Sequence, residues 1–252
     1  SWMCSVVSVT FGCAKGAVVC DPKKLSHTDI QHLTRRFISQ LGDNIGPHTD
    51  IPAPDVGTNA ETMAIIYDTY DNMHRGENKL GVVTGKPVHI GGSLGREEAT
   101  ARGGFFVTAR ALSRGMLPGL TDLDGLSLAI QGFGNVGRHA ARLFSQAGAR
   151  IVAVSDSQGG VHAPGGIDLE AASRHKQETG SVSGLTDTND ITNAELLHVP
   201  CDILIPAALE NQLHSDNAGN VKARLIVELA NGPTTPEADT ILRDKGIPIL
   251  PD

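Results

Sequence analysis

No apolar run in this chain approaches the length of a bilayer-spanning helix. The opening residues Ser1-Trp2-Met3-Cys4-Ser5 carry neither a charged leader region nor a cleavage site. The expectation is a cytoplasmic protein with no membrane partner. Basic clusters are missing too: 21 Lys and Arg against 28 Asp and Glu leave a net charge of -7. That balance argues against nucleic acid or an anionic membrane surface as partner. The cysteines Cys4, Cys13, Cys20 and Cys201 form no C-x-x-C pair, which fits buried reduced thiols. The ten histidines show no H-E-x-x-H or other ligand spacing, so no metal site is expected. Internal repeats and low-complexity tracts are absent as well. What remains is a globular chain of 252 residues, 40% hydrophobic, enough for one large or two modest domains, and two are expected.

The most informative stretch is Gly132-Phe133-Gly134-Asn135-Val136-Gly137. A G-x-G-x-x-G by itself is more often only a turn. Here it follows the apolar run Leu128-Ala129-Ile130 and leads into helix-forming sequence from Arg138, the context a dinucleotide site requires. Gly132 then permits the tight turn, Gly134 lets a pyrophosphate approach the backbone, and Gly137 lets helix and strand pack. The free N–H groups of the helix start, at Asn135 and Val136, suit an anionic ligand. A second strand, Ile151-Val152-Ala153-Val154, ends at Ser155-Asp156. Asp156 lies about 20 positions beyond the last glycine, the place of an acid that grips a ribose and repels a 2′-phosphate. NAD is therefore expected, with Ser155, Ser157, Gly159 and Gly160 leaving room for NADP.

Helical spacing over Ile30, Leu33, Phe37 and Leu41, opened by Ser26 with Asp29 three positions on, predicts an amphipathic core helix. Met63, Ile66, Tyr67 and Tyr70 predict a second, from about Asn59 to His74. Periodicity fades between Gly76 and Gly95, which reads as a domain junction. A long helix is expected from about Arg96 to Arg114, followed by strands at 127–130, 151–154, 203–205 and 225–227. Helices are expected from 135, from about Asp168, and from Thr235-Pro236-Glu237 to Gly246. Such alternation favours a parallel sheet covered on both faces. The fold class expected is α/β: a partial N-terminal substrate domain with its junction over residues 1–95, and a partial Rossmann-type dinucleotide-binding domain over residues 96–252. Because the chain opens within an apparent strand, Cys4 to Val9, and stops at Leu250-Pro251-Asp252 just after another, a fragment lacking both ends is expected.

Two side chains stand out as candidates for chemistry. Lys15 lies among small residues in Phe11-Gly12-Cys13-Ala14-Lys15-Gly16, where a substrate can come close and strip hydration, lowering the amine's pKa. An exposed loop lysine is the plainer reading. Asp55 sits in Pro52-Ala53-Pro54-Asp55-Val56-Gly57-Thr58, where the prolines stiffen the approach to a helix. A helix-entry aspartate that only complements the dipole is an equal alternative.

These segments resemble the glutamate dehydrogenase group of the Glu/Leu/Phe/Val dehydrogenase family. The likeness runs nearly the whole chain. It covers Phe11 to Gly16 through Asp21-Pro22, Asp50 to Thr58, Gly81-Val82-Val83-Thr84-Gly85-Lys86-Pro87 and Gly92 to Thr100. It continues through Gln131 to Gly137, Pro206-Ala207-Ala208 and Glu228-Leu229-Ala230-Asn231-Gly232-Pro233. The resemblance implies reversible oxidative deamination of L-glutamate to 2-oxoglutarate and ammonia, with hydride passing to NAD or NADP, in a homohexamer. It implies that Lys15 activates water and steadies the developing alkoxide, and that Asp55 shuttles a proton to and from nitrogen. Met3, Phe11, Gly12 and Ala53 fall where the family lines its substrate pocket. Arg96, Thr100 and Asn135 match positions near the nicotinamide, and Ala207 and Asn231 match strand ends bordering the crevice.

Three positions depart from the pattern. Ser1-Trp2-Met3 stands where the family usually has Thr-Trp-Lys, so a cation for the substrate α-carboxylate is missing. Its loss is worth about 1.5–3 kcal/mol, or roughly tenfold to a hundredfold in binding. Cys13 and Ala17 replace glycines and would crowd the pocket if the backbone there needs positive φ. These departures support a second reading: a catalytically weak or regulatory subunit that binds nucleotide and assembles with active partners. Retention of both Lys15 and Asp55 favours the enzyme.

Overall fold

A computed structural model describes Ser8, residues 14–76 and residues 78–252. Met3, Phe11, Gly12 and Cys13 lie outside the described residues. Of the strand expected over Cys4 to Val9, only Ser8 is described, and it occupies a turn with a φ of 58°, which interrupts an extended run. The chain forms two compact units, Ser1–Arg96 and Glu97–Asp252.

In the first unit, α1 (His27–Leu41) begins at Ser26, whose hydroxyl accepts from the Asp29 N–H while the Asp29 carboxylate accepts from the Ser26 N–H. This reciprocal cap satisfies two backbone donors that a helix start leaves unpaired. Asn59 and Thr62 cap α2 (Ala60–Met73) in the same way. Helical spacing carries Ile38 of α1 and Met63, Ile66 and Tyr70 of α2 into one core with Ile45, Val82 and Val83. The stretch from Gly76 to Gly95, aperiodic in sequence, is held by two buried lysines. Lys79 Nζ donates to the Asp71 carbonyl and carboxylate, and Lys86 Nζ donates to the carbonyls of Leu80 (2.7 Å) and Val83 (2.9 Å). Burial, with no carboxylate to offset it, pushes the Lys86 amine below its ordinary range.

The second unit opens with α3 (Ala99–Ser113). It starts three positions later than its periodicity suggests, because Gly95 turns with a φ of 81° and residues 94–98 form turns. Next come β1 (Ser127–Gln131), α4 (Asn135–Gln146), β2 (Arg150–Ser155), β3 (Gly160–His162), α5 (Leu169–Thr179) and β4 (Asn189–Ile191). The remainder is α6 (Asn193–Leu196), β5 (Ile203–Pro206), α7 (Ser215–Ala218), β6 (Leu225–Val227), α8 (Pro236–Asp244) and β7 (Ile249–Leu250). The strands make one sheet in the order β4-β3-β2-β1-β5-β6-β7. The pairs from β2 across to β7 are parallel, and the β2–β3 and β3–β4 pairs are antiparallel.

Alternation along each strand divides the apolar side chains between two faces. Leu128, Ile130, Ile203, Ile205 and Val227 pack with Leu112 of α3, Phe144 of α4 and Ala172 of α5. On the other face, Ala129, Val152, Leu204 and Ile226 pack with Leu196 of α6, Ala218 of α7 and Leu242 of α8. This is a doubly wound α/β sheet. Consecutive strands leave β1 in opposite directions, β2 to one side and β5 to the other, so the strand order reverses beside β1, where such sheets take their ligands.

Candidate functional site

In the first unit, Lys15 Nζ donates to Asp55 Oδ2 across 40 positions of sequence. Two loops thus bring an ammonium and a carboxylate into direct contact. Lys15 lies in a stretch without regular secondary structure whose next residue, Gly16, has room for no bulky side chain, since a Cβ there would sit 3.3 Å from the Phe37 ring. Asp55 is fixed more firmly. Its backbone N–H donates to Thr58 Oγ1 at 2.7 Å, the Thr58 N–H returns to the Asp55 carbonyl at 3.0 Å, and Oδ1 accepts from the Val56 N–H at 2.8 Å. Beneath the loop, Gly85 has a φ of 72° and a Cβ there would lie 2.5 Å from Pro54 Cγ. The Thr84 N–H donates to the Pro52 carbonyl at 3.0 Å.

The Lys15 ammonium, then the Val56 N–H, hold the Asp55 carboxyl below its ordinary range against a smaller effect of burial. Asp55 is therefore ionised at neutral pH and competent to accept a proton. Both side chains are open, at 76% for Lys15 and 52% for Asp55, and accessible to a substrate. Ala17 is not in the positive-φ region, so its methyl group introduces no backbone strain.

In the second unit, the glycine pattern closes the turn from β1 into α4. Gly132 has a φ of 97°, and a Cβ there would lie 2.8 Å from the Ala207 carbonyl oxygen. A Cβ on Gly137 would lie 1.8 Å from the Gly132 oxygen, so helix and strand approach as closely as backbone allows. Gly134 differs: nothing lies within 4 Å of a Cβ built there, and no side chain caps the helix it begins. Exposed Gly134 and Asn135 therefore leave a backbone cradle at a helix N-terminus, which fits a pyrophosphate. The N–H groups of Gly132 and Phe133 both donate to the Ser155 carbonyl, joining this turn to the end of β2.

Asp156 follows Ser155, but it is not the free acid that its spacing suggested. Its Oδ1 accepts from the Gln158 N–H (3.0 Å) and Ser181 Oγ (3.1 Å), and its Oδ2 from Lys176 Nζ (2.9 Å) and the Val182 N–H (2.8 Å). Burial pushes this carboxyl up; the Gln158 N–H, the Lys176 ammonium and the Val182 N–H outweigh it and hold it below its ordinary range. Both oxygens of Asp156, the acid expected to grip a ribose, are thus engaged by partners within the unit.

The other candidates fall as follows. Ala53 is exposed beside Asp55, Arg96 is exposed in a turn, and Thr100 is exposed in the first turn of α3. Asn135 Nδ2 donates to the Glu97 carbonyl at 2.9 Å, tying α4 to the segment before α3. Val136 packs partly against the core. The Ala207 N–H donates to the Gln131 carbonyl at 2.8 Å, and exposed Asn231 follows Leu229 and Ala230, whose N–H groups donate to the Pro206 carbonyl. Gly132, Asp156, Ala207 and Asn231 thus follow the carboxyl ends of β1, β2, β5 and β6. Sequence reasoning missed Thr58, Gly85 and Lys176. Thr58 had a signal, a hydroxyl three positions beyond an aspartate in a turn; the others reach their partners only through tertiary structure. Among the described residues no group of three or more His, Cys, Asp or Glu could hold a metal ion, and no helix is long and apolar enough to cross a membrane.

A doubly wound sheet with this turn at its switch point defines a dinucleotide-binding protein. More particularly, the chain belongs to the Glu/Leu/Phe/Val dehydrogenase family. Residues 91–252 match the model "Glutamate/Leucine/Phenylalanine/Valine dehydrogenase", and residues 1–72 match "Glu/Leu/Phe/Val dehydrogenase, dimerisation domain". Over its whole length the chain is 51% identical to a glutamate dehydrogenase of Thermotoga maritima and 46% identical to glutamate dehydrogenase B of Halobacterium salinarum. It spans 60% and 58% of those relatives. Among solved structures, the Leu-bound form of the hetero-hexameric glutamate dehydrogenase from Thermus thermophilus superposes with a TM-score of 0.91 at 38% identity, over 99% of this chain and 58% of that one.

Proposed function

We propose that the protein to which this chain belongs is an amino-acid dehydrogenase that converts L-glutamate and water reversibly to 2-oxoglutarate and ammonia. The observation that carries this reading is the contact between Lys15 and Asp55, two loops meeting at one pair of ionised groups. Family membership and relatives named glutamate dehydrogenase support the choice of substrate. We assign the cofactor as a nicotinamide dinucleotide, which fits the open cradle at Gly134 and the helix start at Asn135 and Val136. When bound, it supplies the hydride acceptor for the substrate Cα.

This chain's own residues handle the protons. The Asp55 carboxylate accepts a proton from the substrate ammonium, freeing the nitrogen lone pair from which the imine forms as hydride leaves Cα. Once the Lys15 ammonium has given its proton to solvent, its amine takes a proton from the water that adds to the imine carbon and, as ammonium, donates to the oxygen as charge develops there. Asp55 then returns its proton to nitrogen, and ammonia departs as the carbonyl forms and the hydroxyl proton passes to the Asp55 carboxylate. By family resemblance we assign Met3, Phe11, Gly12 and Ala53 to the substrate, and Arg96, Thr100, Ala207 and Asn231 to the nicotinamide. A hexamer is the proposed assembly, as in the Thermus relative, and the cytoplasm the proposed location.

The test is glutamate-dependent reduction of NAD and NADP by the full-length protein. Turnover is expected in the parent, with a loss of about 10²–10⁴-fold in Lys15→Ala or Asp55→Asn. A silent parent that gains turnover in Met3→Lys would instead identify the weak or regulatory subunit, a reading the retained Lys15–Asp55 pair disfavours.

A further inference from the structure

Lys86 is a buried cation that the proton chemistry does not use. It is only 7% exposed, and its Nζ donates to the carbonyls of Leu80 (2.7 Å) and Val83 (2.9 Å), neither of which receives a backbone N–H among the described residues. A lysine so placed gives up its hydration, and burial lowers its amine below the ordinary range. The result is a closed turn over residues 80–86. Val82 and Val83 anchor that turn in the core with Met63, Ile66 and Tyr70 of α2. Thr84 and Gly85 meet the lead-in to Asp55: the Thr84 N–H donates to the Pro52 carbonyl at 3.0 Å, and a Cβ on Gly85 would lie 2.5 Å from Pro54 Cγ. Past the turn, a Cβ on Gly92 would lie 1.8 Å from the Lys86 carbonyl oxygen, so the returning chain packs directly on the Lys86 backbone.

We propose that Lys86 is a positioning residue for proton transfer at Asp55: its ammonium fixes the turn against which Pro52 and Pro54 rest, and so sets where the carboxylate stands relative to the substrate nitrogen. The inference rests on the role given to Asp55 in the proposed reaction. Local bonds settle only part of that geometry. Thr58 and the Val56 N–H hold Asp55 to the residues that follow it, whereas Pro52 and Pro54 bring the chain in from the preceding side. Prolines transmit a displacement rather than absorb it, because their φ is fixed. Proton transfer needs its heavy atoms within hydrogen-bond reach, and a displacement of about 1 Å is enough to slow a reaction about a hundredfold. The Lys86 donors are directed at carbonyls of its own turn, so its effect on the reaction passes through Asp55.

Steady-state oxidation of glutamate by the full-length protein tests this in a double-mutant cycle of Lys86→Met and Asp55→Asn. Lys86→Met keeps most of the side chain's length and removes its donors. In that variant kcat is expected to fall by about tenfold to a hundredfold, with KM for glutamate and NADH affinity unchanged. In the Asp55→Asn background the same substitution should change kcat by no more than about twofold, since the group it positions is gone. Gly85→Ala, which drives a methyl group toward Pro54 and leaves Lys86 intact, should repeat both results, and it decides the matter if Lys86→Met does not fold. The proposal is overturned if folded Lys86→Met turns over at the parent rate, if its effect multiplies with that of Asp55→Asn, or if KM alone rises. It is overturned too if neither Lys86→Met nor Gly85→Ala folds, which would make the turn purely structural. A silent parent, or Asp55→Asn at the parent rate, would instead overturn the role of Asp55 itself.

Discussion

At the scale of single residues, two acids show how the same side chain takes different duties from its surroundings. Asp55, half-exposed with one oxygen toward Lys15, can exchange protons with a substrate. Asp156, buried, accepts from four donors. Its folded-state carboxyl lies below the ordinary value, so the stability it adds is fully present above about pH 4 and is lost as pH falls through the folded value. Asp156→Asn should therefore cost about 3 kcal/mol near neutrality, the penalty for breaking a buried ion pair. The difference from parent should shrink below about pH 4 in acid-unfolding curves; a pH-independent difference would show that the carboxylate charge contributes nothing. Cys201 supplies a second check. Burial pushes its thiol up to about 12, so alkylation of the native protein, mapped by mass spectrometry, should spare Cys201 and modify exposed Cys20.

Among elements, the turn from β1 into α4 separates binding from folding. Gly134→Ala places a methyl group in open space at a φ of -88°, so stability should hold within about 0.5 kcal/mol while nucleotide affinity drops. Gly137→Ala drives a methyl group into the Gly132 carbonyl and should cost about 3 kcal/mol, read as a lowered denaturant midpoint. The sequence made this element legible because its glycines, its flanking apolar runs and the sheet period all pointed the same way. Helix starts were legible for a related reason: Ser26, Asp168 and Thr235 cap helices through local bonds to residues two or three positions on. Legibility failed where the determinant was distant. Strands β3 and β4 are three residues each and pair by position, not pattern. The commitment of Asp156 depends on Lys176, Ser181 and Val182, which reach it only once α5 has packed. The clamp on residues 76–95 comes from lysines that composition assigns to solvent.

For the whole molecule, the chain carries one unit with the Lys15–Asp55 pair and another with the open glycine turn before α4, and the proposed reaction requires both. The relatives extend well beyond the span matched here, so tests of activity and assembly belong to the full-length protein. Native mass spectrometry is expected to give six subunits. The most direct test of the account is a single-turnover measurement: glutamate-dependent formation of reduced nicotinamide by the full-length protein, beside Asp55→Asn with NADH affinity measured on the same sample. The account predicts a rate at least about a hundredfold slower in the variant at unchanged NADH affinity. A variant that reduces the cofactor at the parent rate would contradict it.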